Sequence, residues 1–557
     1  MEPRLQHFHT YFLFPFAMDR ETLLGEHPVQ WKNHRQLLEG VDKWIAAHQQ
    51  PRGASARRFL GSWSRAAYTR FDADSPAYQD MMFFHPFVRR IFFDSVDSSA
   101  GQEEHEPLMR CYVMPVSAGA QVWLSAEDVR GRSATLEVTD IRLFLFANAM
   151  GILSIGVEAK DIPVSEALWA NEMMRKVYPS SGRQRREGRI PTGVRLWAES
   201  GGDKAILVEE SYETARMAGL HPPMSKLVTS LLNFLDYEAQ EYEPVLDERM
   251  IVYSCAILDP STLPAGFADS EDYQVMLSRF VYVDRAGAQF RYEPGFTRAQ
   301  MQENLYRRWA HQGTYYGFTS YSNLTVAIGI TDRDEHQVSE GFLIHRMFDT
   351  RYYLMAIITL FYRATLLDFA ERNALVARRL YRDHAAGKIT SEALQMANEL
   401  RLNFLHFSNL WYFEELANKD EEIEHSRLQS SAYRIPPMKA EIEQEIEKLN
   451  SVLDQFYQHR NTQAVNRLAM LSGFLGVGAV LTGYFGMNFG RDFAKTFFEP
   501  SPAALTVHYL VISLVSLIAF GSLAFGAYLI VGNWADYRDI MVHRILRGDG
   551  GKGPTAK

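Results

Sequence analysis

The feature that most constrains this chain lies in its C-terminal fifth, where two long stretches carry no charge. Residues 468–490, between Arg467 and Arg491, are 23 residues without an acid or a base. At about 1.5 Å per residue they make roughly 34 Å of helix, enough to cross a hydrocarbon layer about 30 Å thick. A second uncharged stretch lies between Glu499 and Asp536, with its apolar centre at 505–531 and His508 as its one group that titrates near neutral pH. Lipid offers no partners to backbone N–H and C=O groups, so both stretches are expected to be transmembrane helices. A third apolar run, 352–361, is too short to span a membrane and sits between Arg351 and Arg363, so it reads as a buried helix of a soluble unit.

The flanking charges set an orientation. The short connection 491–504 carries Arg491 and Lys495, whereas the opposite side carries Arg460, Arg467, Arg538, Arg544, Arg547, Lys552 and Lys557. The positive-inside bias therefore places both termini in the cytoplasm, in a multi-pass protein of the inner (cytoplasmic) membrane. Trp534 and Tyr537 stand where interfacial aromatic anchors are expected. The apolar segment 11–18 is short, contains Pro15 and lacks a cleavage site, so it reads as a buried strand and not as a signal peptide. Two cysteines, Cys111 and Cys255, are too few for a disulfide framework and suit a reducing compartment. A net charge of −9 argues against a nucleic-acid partner, since phosphate binding needs a basic face.

The expected fold is an α+β cytoplasmic domain followed by a helical hairpin, a long stalk helix and two C-terminal transmembrane helices. Residues 1–340 read as the α/β part. Strands are predicted at 109–114, 138–146, 152–158, 250–258 and 315–330, and helices at 165–177, 225–242 and 298–309. The Arg- and Gly-rich segment 180–188 reads as an exposed loop. Residues 341–437 form the hairpin, interrupted near Ala386, Gly387 and Lys388 and closed by Pro436 and Pro437, which end one helix and can begin the next. In the stalk, 438–467, Ile442, Ile446, Leu449, Leu453 and Phe456 recur at three- and four-residue spacing between Glu and Lys, a stripe that predicts packing against the same domain or against further copies. No proline or glycine interrupts 438–472, so one helix can run from the cytoplasm into the first membrane segment, 468–490. An outer loop (491–504), the second membrane helix (505–531) and a cytoplasmic tail (532–557) complete the order.

At the end of the first membrane helix stands Gly483-Tyr484-Phe485-Gly486-Met487-Asn488-Phe489. Here the sequence resembles the CorA family of divalent-cation (magnesium) transporters, whose signature is an aromatic residue followed by Gly-Met-Asn at the outer end of the first of two C-terminal membrane helices. The resemblance is sharp over 438–540 and architectural before it, and this chain would be an enlarged or divergent member. It implies a homopentameric channel with Gly486, Met487 and Asn488 as selectivity filter, the first membrane helix lining the pore, and a cytoplasmic gating domain. Asn488 would hold a hydrated cation, Mg²⁺ first, with Co²⁺, Ni²⁺ or Zn²⁺ also possible; Mg²⁺ prefers oxygen ligands and dehydrates reluctantly. Registering the chain on the motif places Thr462, Val465, Leu468, Gly476 and Tyr484 along the pore, with Val465 and Leu468 at the gate. Gly476 stands where a bulky mid-pore residue is expected, and the outer loop's Arg491, Asp492, Lys495 and Glu499 cancel, which favours "divalent cation" over magnesium alone.

Other clusters are weaker. Asp420, Glu421, Glu422 and Glu424 could hold regulatory divalent cations between subunits, or could be a solvated helix end. Glu103-Glu104-His105-Glu106 reads as a surface loop, and His7 and His9, on one face of a strand, as structural histidines. No nucleophile elbow, phosphate loop or zinc-protease helix occurs, so no enzyme activity and no resident cofactor are expected. Two further readings stand beside the channel: a zinc or other transition-metal efflux transporter, and a membrane-anchored sensor or scaffold with little conduction. Partners expected are further copies of the chain, membrane lipid and the transported cation.

Overall fold

Strand β1 (Arg4–Met18) organises the fold, because its aromatic-rich sequence presents a bulky face to both sides of a sheet. In the computed structural model the described residues are 2–19, 34–49, 58–69, 75–95, 107–178, 182–212, 222–246, 249–329, 343–385 and 390–486, with 514, 517, 518, 521, 524, 525 and 528 beyond them. They fall into two units, Met1–Glu447 and Lys448–Lys557.

In the first unit the strands after β1 are β2 (Ser64–Arg65), β3 (Met109–Val113), β4 (Gln121–Glu127), β5 (Ser133–Phe146), β6 (Met150–Pro163), β7 (Gly193–Ser200), β8 (Asp203–Glu210), β9 (Tyr242–Pro244), β10 (Ile251–Leu258), β11 (Leu305–Tyr306), β12 (Tyr315–Thr319) and β13 (Ser322–Ile328). They form one mixed sheet whose main path runs β11-β12-β13-β10-β1-β6-β5-β4-β7-β8. Its neighbours are antiparallel except β10 and β13, which are parallel. Pro15 is tolerated inside β1 because it falls where pairing with β10 has ended, at Leu13, and pairing with β9 has not begun, at Phe16.

The helices of this unit are α1 (His34–His48), α2 (Pro76–Phe83), α3 (Pro86–Phe92), α4 (Val164–Met174), α5 (Gly182–Arg186), α6 (Lys226–Leu231), α7 (Glu271–Tyr282), α8 (Pro294–Asn304), α9 (Leu343–Met347), α10 (Tyr353–Ala385), α11 (Ser391–His406) and α12 (Asp420–Ala432). Alternation along the strands separates two faces. Phe8, Phe12, Phe14 and Phe16 of β1, with Leu153, Ile155 and Val157 of β6, join the core that α1, α4, α6 and α7 complete. The other face meets α9 and α10. Helix α10 carries no charge over its first ten residues, Tyr353–Tyr362, the pattern of a helix buried on every side. Tyr353, Met355, Ile357, Ile358, Leu360 and Phe361 are all buried there, and Phe361 stacks on Phe146 of β5 at 4.1 Å. The helical stretch Ile344–Asp383 is apolar and long enough to cross a membrane, yet 78% of its most apolar window is buried in the protein. The sheet and neighbouring helical residues, Phe92, Phe404 and Phe407 among them, cover its apolar surface.

Several predicted elements shift. The stretch 315–330 is a hairpin, β12 and β13, not one strand. The helix expected at 225–242 ends at Leu231, because Asp236 draws the Glu238 and Ala239 amides onto its carboxylate and turns the chain. The helix expected at 298–309 begins earlier, at Pro294, with Glu293 capping the Gly295 and Phe296 amides, and ends at Asn304, where the chain passes into β11. Within the segment read as a loop, 180–188, α5 makes a short helix.

Helix α13 (Ile435–Gly486) leaves the first unit and continues in the second. Pro436 and Pro437 occupy its first turn, where missing N–H groups are harmless. The seven described residues between 514 and 528 are helical.

Candidate functional site

The residues registered on a pore lie along α13. Ile442 and Ile446, early in the helix, are buried. Farther on the large apolar side chains are exposed: Val465 by 57%, Leu468 by 60% and Leu475 by 67%. At about 100° per residue, Thr462, Val465, Leu468, Gly476 and Tyr484 fall within roughly 160° of the helix circumference, so they can look toward one axis. The Thr462 hydroxyl donates to the Gln458 carbonyl at 2.8 Å. A Cβ placed on Gly473, Gly476 or Gly478 would meet no atom within 4 Å. Gly486 is the last residue of the helix; the side chain of Tyr484 and all of Met487 and Asn488 lie outside the described residues. So do the outer loop, the tail and Glu103-Glu104-His105-Glu106. Among the described residues beyond Gly486, Leu514, Leu517, Ile518, Phe525 and Tyr528 are exposed.

The acidic cluster is tied into its own chain. Asp420, Glu421 and Glu422 form the first turn of α12, where a helix dipole favours negative charge. Glu421 accepts from the Tyr352 hydroxyl at 3.4 Å, and Glu422 is buried, which raises its carboxyl above the usual range. Glu424 accepts from the Tyr306 hydroxyl and pairs with Arg308 at 3.1 Å; the Tyr306 hydrogen bond holds its carboxyl below the usual range.

A polar layer that sequence reasoning did not assemble lies beneath α9 and the π-helical turn Phe348–Tyr352, on the face of the sheet opposite the main core. Tyr11 donates to Asp349 and lies 3.3 Å from Asp140, which pairs with Arg142 at 2.6 Å. Burial raises the Asp140 carboxyl, and the Arg142 guanidinium opposes that shift. Tyr353 covers Arg142 with its ring and donates to Ser154 at 2.7 Å. Tyr253 stacks on Phe348 at 4.4 Å and donates to its carbonyl at 2.8 Å. Gly156 makes room for the layer, since a Cβ there would lie 2.5 Å from Thr139 Oγ1 and 2.7 Å from Tyr11.

The same layer contains three histidines. His7 and His9 come from β1, as their alternation predicts, and His345 comes from α9. Burial lowers all three imidazoles, His7 to about 4 and His9 well below its ordinary range, while Asp349 partly offsets the effect at His345. The alternation of His7 and His9 was the one signal visible in the sequence; His345 follows 336 residues after His9 and joins them only through the fold. A separate cavity of about 850 Å³, lined by Trp44, Leu231, Tyr237 and Glu241 among others, contains none of these groups.

No family model, curated protein or solved structure matches the chain.

Proposed function

We propose that the chain is a CorA-like divalent-cation channel or transporter, a homo-oligomer, five copies by the family resemblance, in the inner membrane with both termini cytoplasmic. The observation that carries this reading is α13 itself. One 52-residue helix begins at Ile435 with alternating charged and apolar residues, loses all charge after Arg467, and ends on the Gly486-Met487-Asn488 motif. Exposed Val465, Leu468 and Leu475 on such a helix ask for lipid or neighbouring helices as partners. Two largely apolar helices per chain cannot enclose a polar path alone, so conduction needs several copies around an axis. A ring of Asn488 side chains would then present neutral oxygens to a hydrated cation, held weakly enough to leave. The cytoplasmic unit would bias the opening of the pore.

Native mass measurement of the full chain in mild detergent tests the assembly. Five copies are expected, and a monomer or dimer at working concentration would contradict the pore. Mg²⁺ entry into proteoliposomes tests the activity; vesicles no more permeable than empty ones to any divalent ion would favour the sensor or scaffold instead.

A further inference from the structure

We propose that His7, His9 and His345 form a transition-metal site that ties α9 to the central strand of the sheet, taking Zn²⁺ or a cation of similar preference such as Co²⁺ or Ni²⁺. The inference stands apart from the transport reading, since it rests on three side chains of the first unit.

The geometry is that of a site nearly closed. Each imidazole offers a ring nitrogen, and the three nitrogens lie within 4.8 Å of one another. Ligands about 2.0–2.1 Å from a tetrahedral metal stand roughly 3.4 Å apart, so small movements of the rings would complete three corners. His9 is already oriented. Its Nε2 lies 3.1 Å from Thr139 Oγ1, which leaves Nδ1 pointing at His345 Nε2, 2.8 Å away. Such a hydrogen bond to the far nitrogen of a ligating histidine fixes the ring and its tautomer. His7 stands edge-on to His345, ring centroids 4.3 Å apart, with Glu158 3.9 Å from its Nε2. His7 and His9 are buried and His345 partly so, which limits competition from water. The charges nearby are mixed: Glu158 and Asp349 favour a cation, while Lys160 and Arg142 oppose it, the latter already paired with Asp140.

The donor set names the class of metal. Imidazole suits Zn²⁺, Co²⁺, Ni²⁺ and Cu²⁺, whereas Mg²⁺ and Ca²⁺ require oxygen ligands. Three histidines leave a fourth position for water or a carboxylate. A metal bound here would clamp α9 and the π-helical turn after it onto β1.

The test uses the full chain without an affinity tag, stripped by chelator and titrated with Co²⁺. Binding of one equivalent per chain with the visible absorption of four-coordinate Co²⁺ is expected, displaced by Zn²⁺ and unaffected by excess Mg²⁺. His9→Gln and His345→Gln should each abolish the signal. Thr139→Val removes only the orienting hydroxyl and should weaken Co²⁺ binding by about 10- to 100-fold, while circular dichroism of the metal-free protein stays unchanged. The proposal is overturned by wild-type protein that takes up no Co²⁺, by His9→Gln or His345→Gln retaining the absorption, or by a Thr139→Val chain that binds as tightly as wild type.

Discussion

A side chain at position 156 would enter space already filled by Thr139 and Tyr11, and Tyr11 cannot give way while Asp349 and Asp140 hold its hydroxyl. Gly156→Ala should therefore lower stability by about 1–3 kcal/mol, the usual range for overpacking a filled interior. Chemical denaturation would check it, and a loss under about 0.5 kcal/mol would show that the layer yields easily. His425 gives a pH signature of its own. It lies buried against the ring of Tyr352, centroids 4.4 Å apart, and burial pushes its imidazole down to about 3. The unfolded chain, with an ordinary histidine near 6.5, binds the proton first, so the full stability is present above pH 6.5 and drains as pH falls toward 3. Between pH 6.5 and 5 the loss from this one residue is about 2 kcal/mol. Urea midpoints of wild type and His425→Phe across that interval should converge as pH falls; parallel curves would contradict the assignment.

At the scale of elements, tertiary contacts decide what local pattern leaves open. The strands expected at 109–114, 138–146, 152–158 and 250–258 correspond to β3, β5, β6 and β10, because continuous apolar and aromatic runs fit a sheet covered on both faces. The helix expected at 225–242 ends at Leu231, and beyond it the Asp236 side chain takes backbone amides that a continuing helix would use. Length and the flanking Arg351 and Arg363 mark 352–361 as a buried helix, whereas the π-helical turn at Phe348–Tyr352 that carries Asp349 into the polar layer has no periodic signature. Helix α10 leans on that layer. Tyr353→Phe removes the hydroxyl bonded to Ser154, leaves the buried Ser154 hydroxyl without that partner, and should cost about 1–3 kcal/mol in thermal or chemical unfolding. An unchanged midpoint would mean that Ser154 accepts from another donor.

Over the whole molecule, what the sequence makes legible depends on how far apart along the chain the participating residues lie. The uncharged stretches, the stalk periodicity and the Gly486-Met487-Asn488 motif are local patterns, legible because each is written in consecutive residues. The histidine cluster is the converse case, its members drawn from β1 and α9 at opposite ends of the first unit's sequence. The two proposed cation sites differ in donor chemistry: oxygens at Asn488 for a hydrated ion, nitrogens at His7, His9 and His345 for a bound one. In the proposed pore, cations pass a ring of Asn488 side chains. Mg²⁺ and Co²⁺ flux into proteoliposomes containing wild-type protein or Asn488→Ala at matched density, under an inward gradient, tests that passage. Flux for wild type well above that of empty vesicles is expected, with at least a tenfold (about 1.4 kcal/mol) loss for the variant; equal flux through both would rule the ring out as the path.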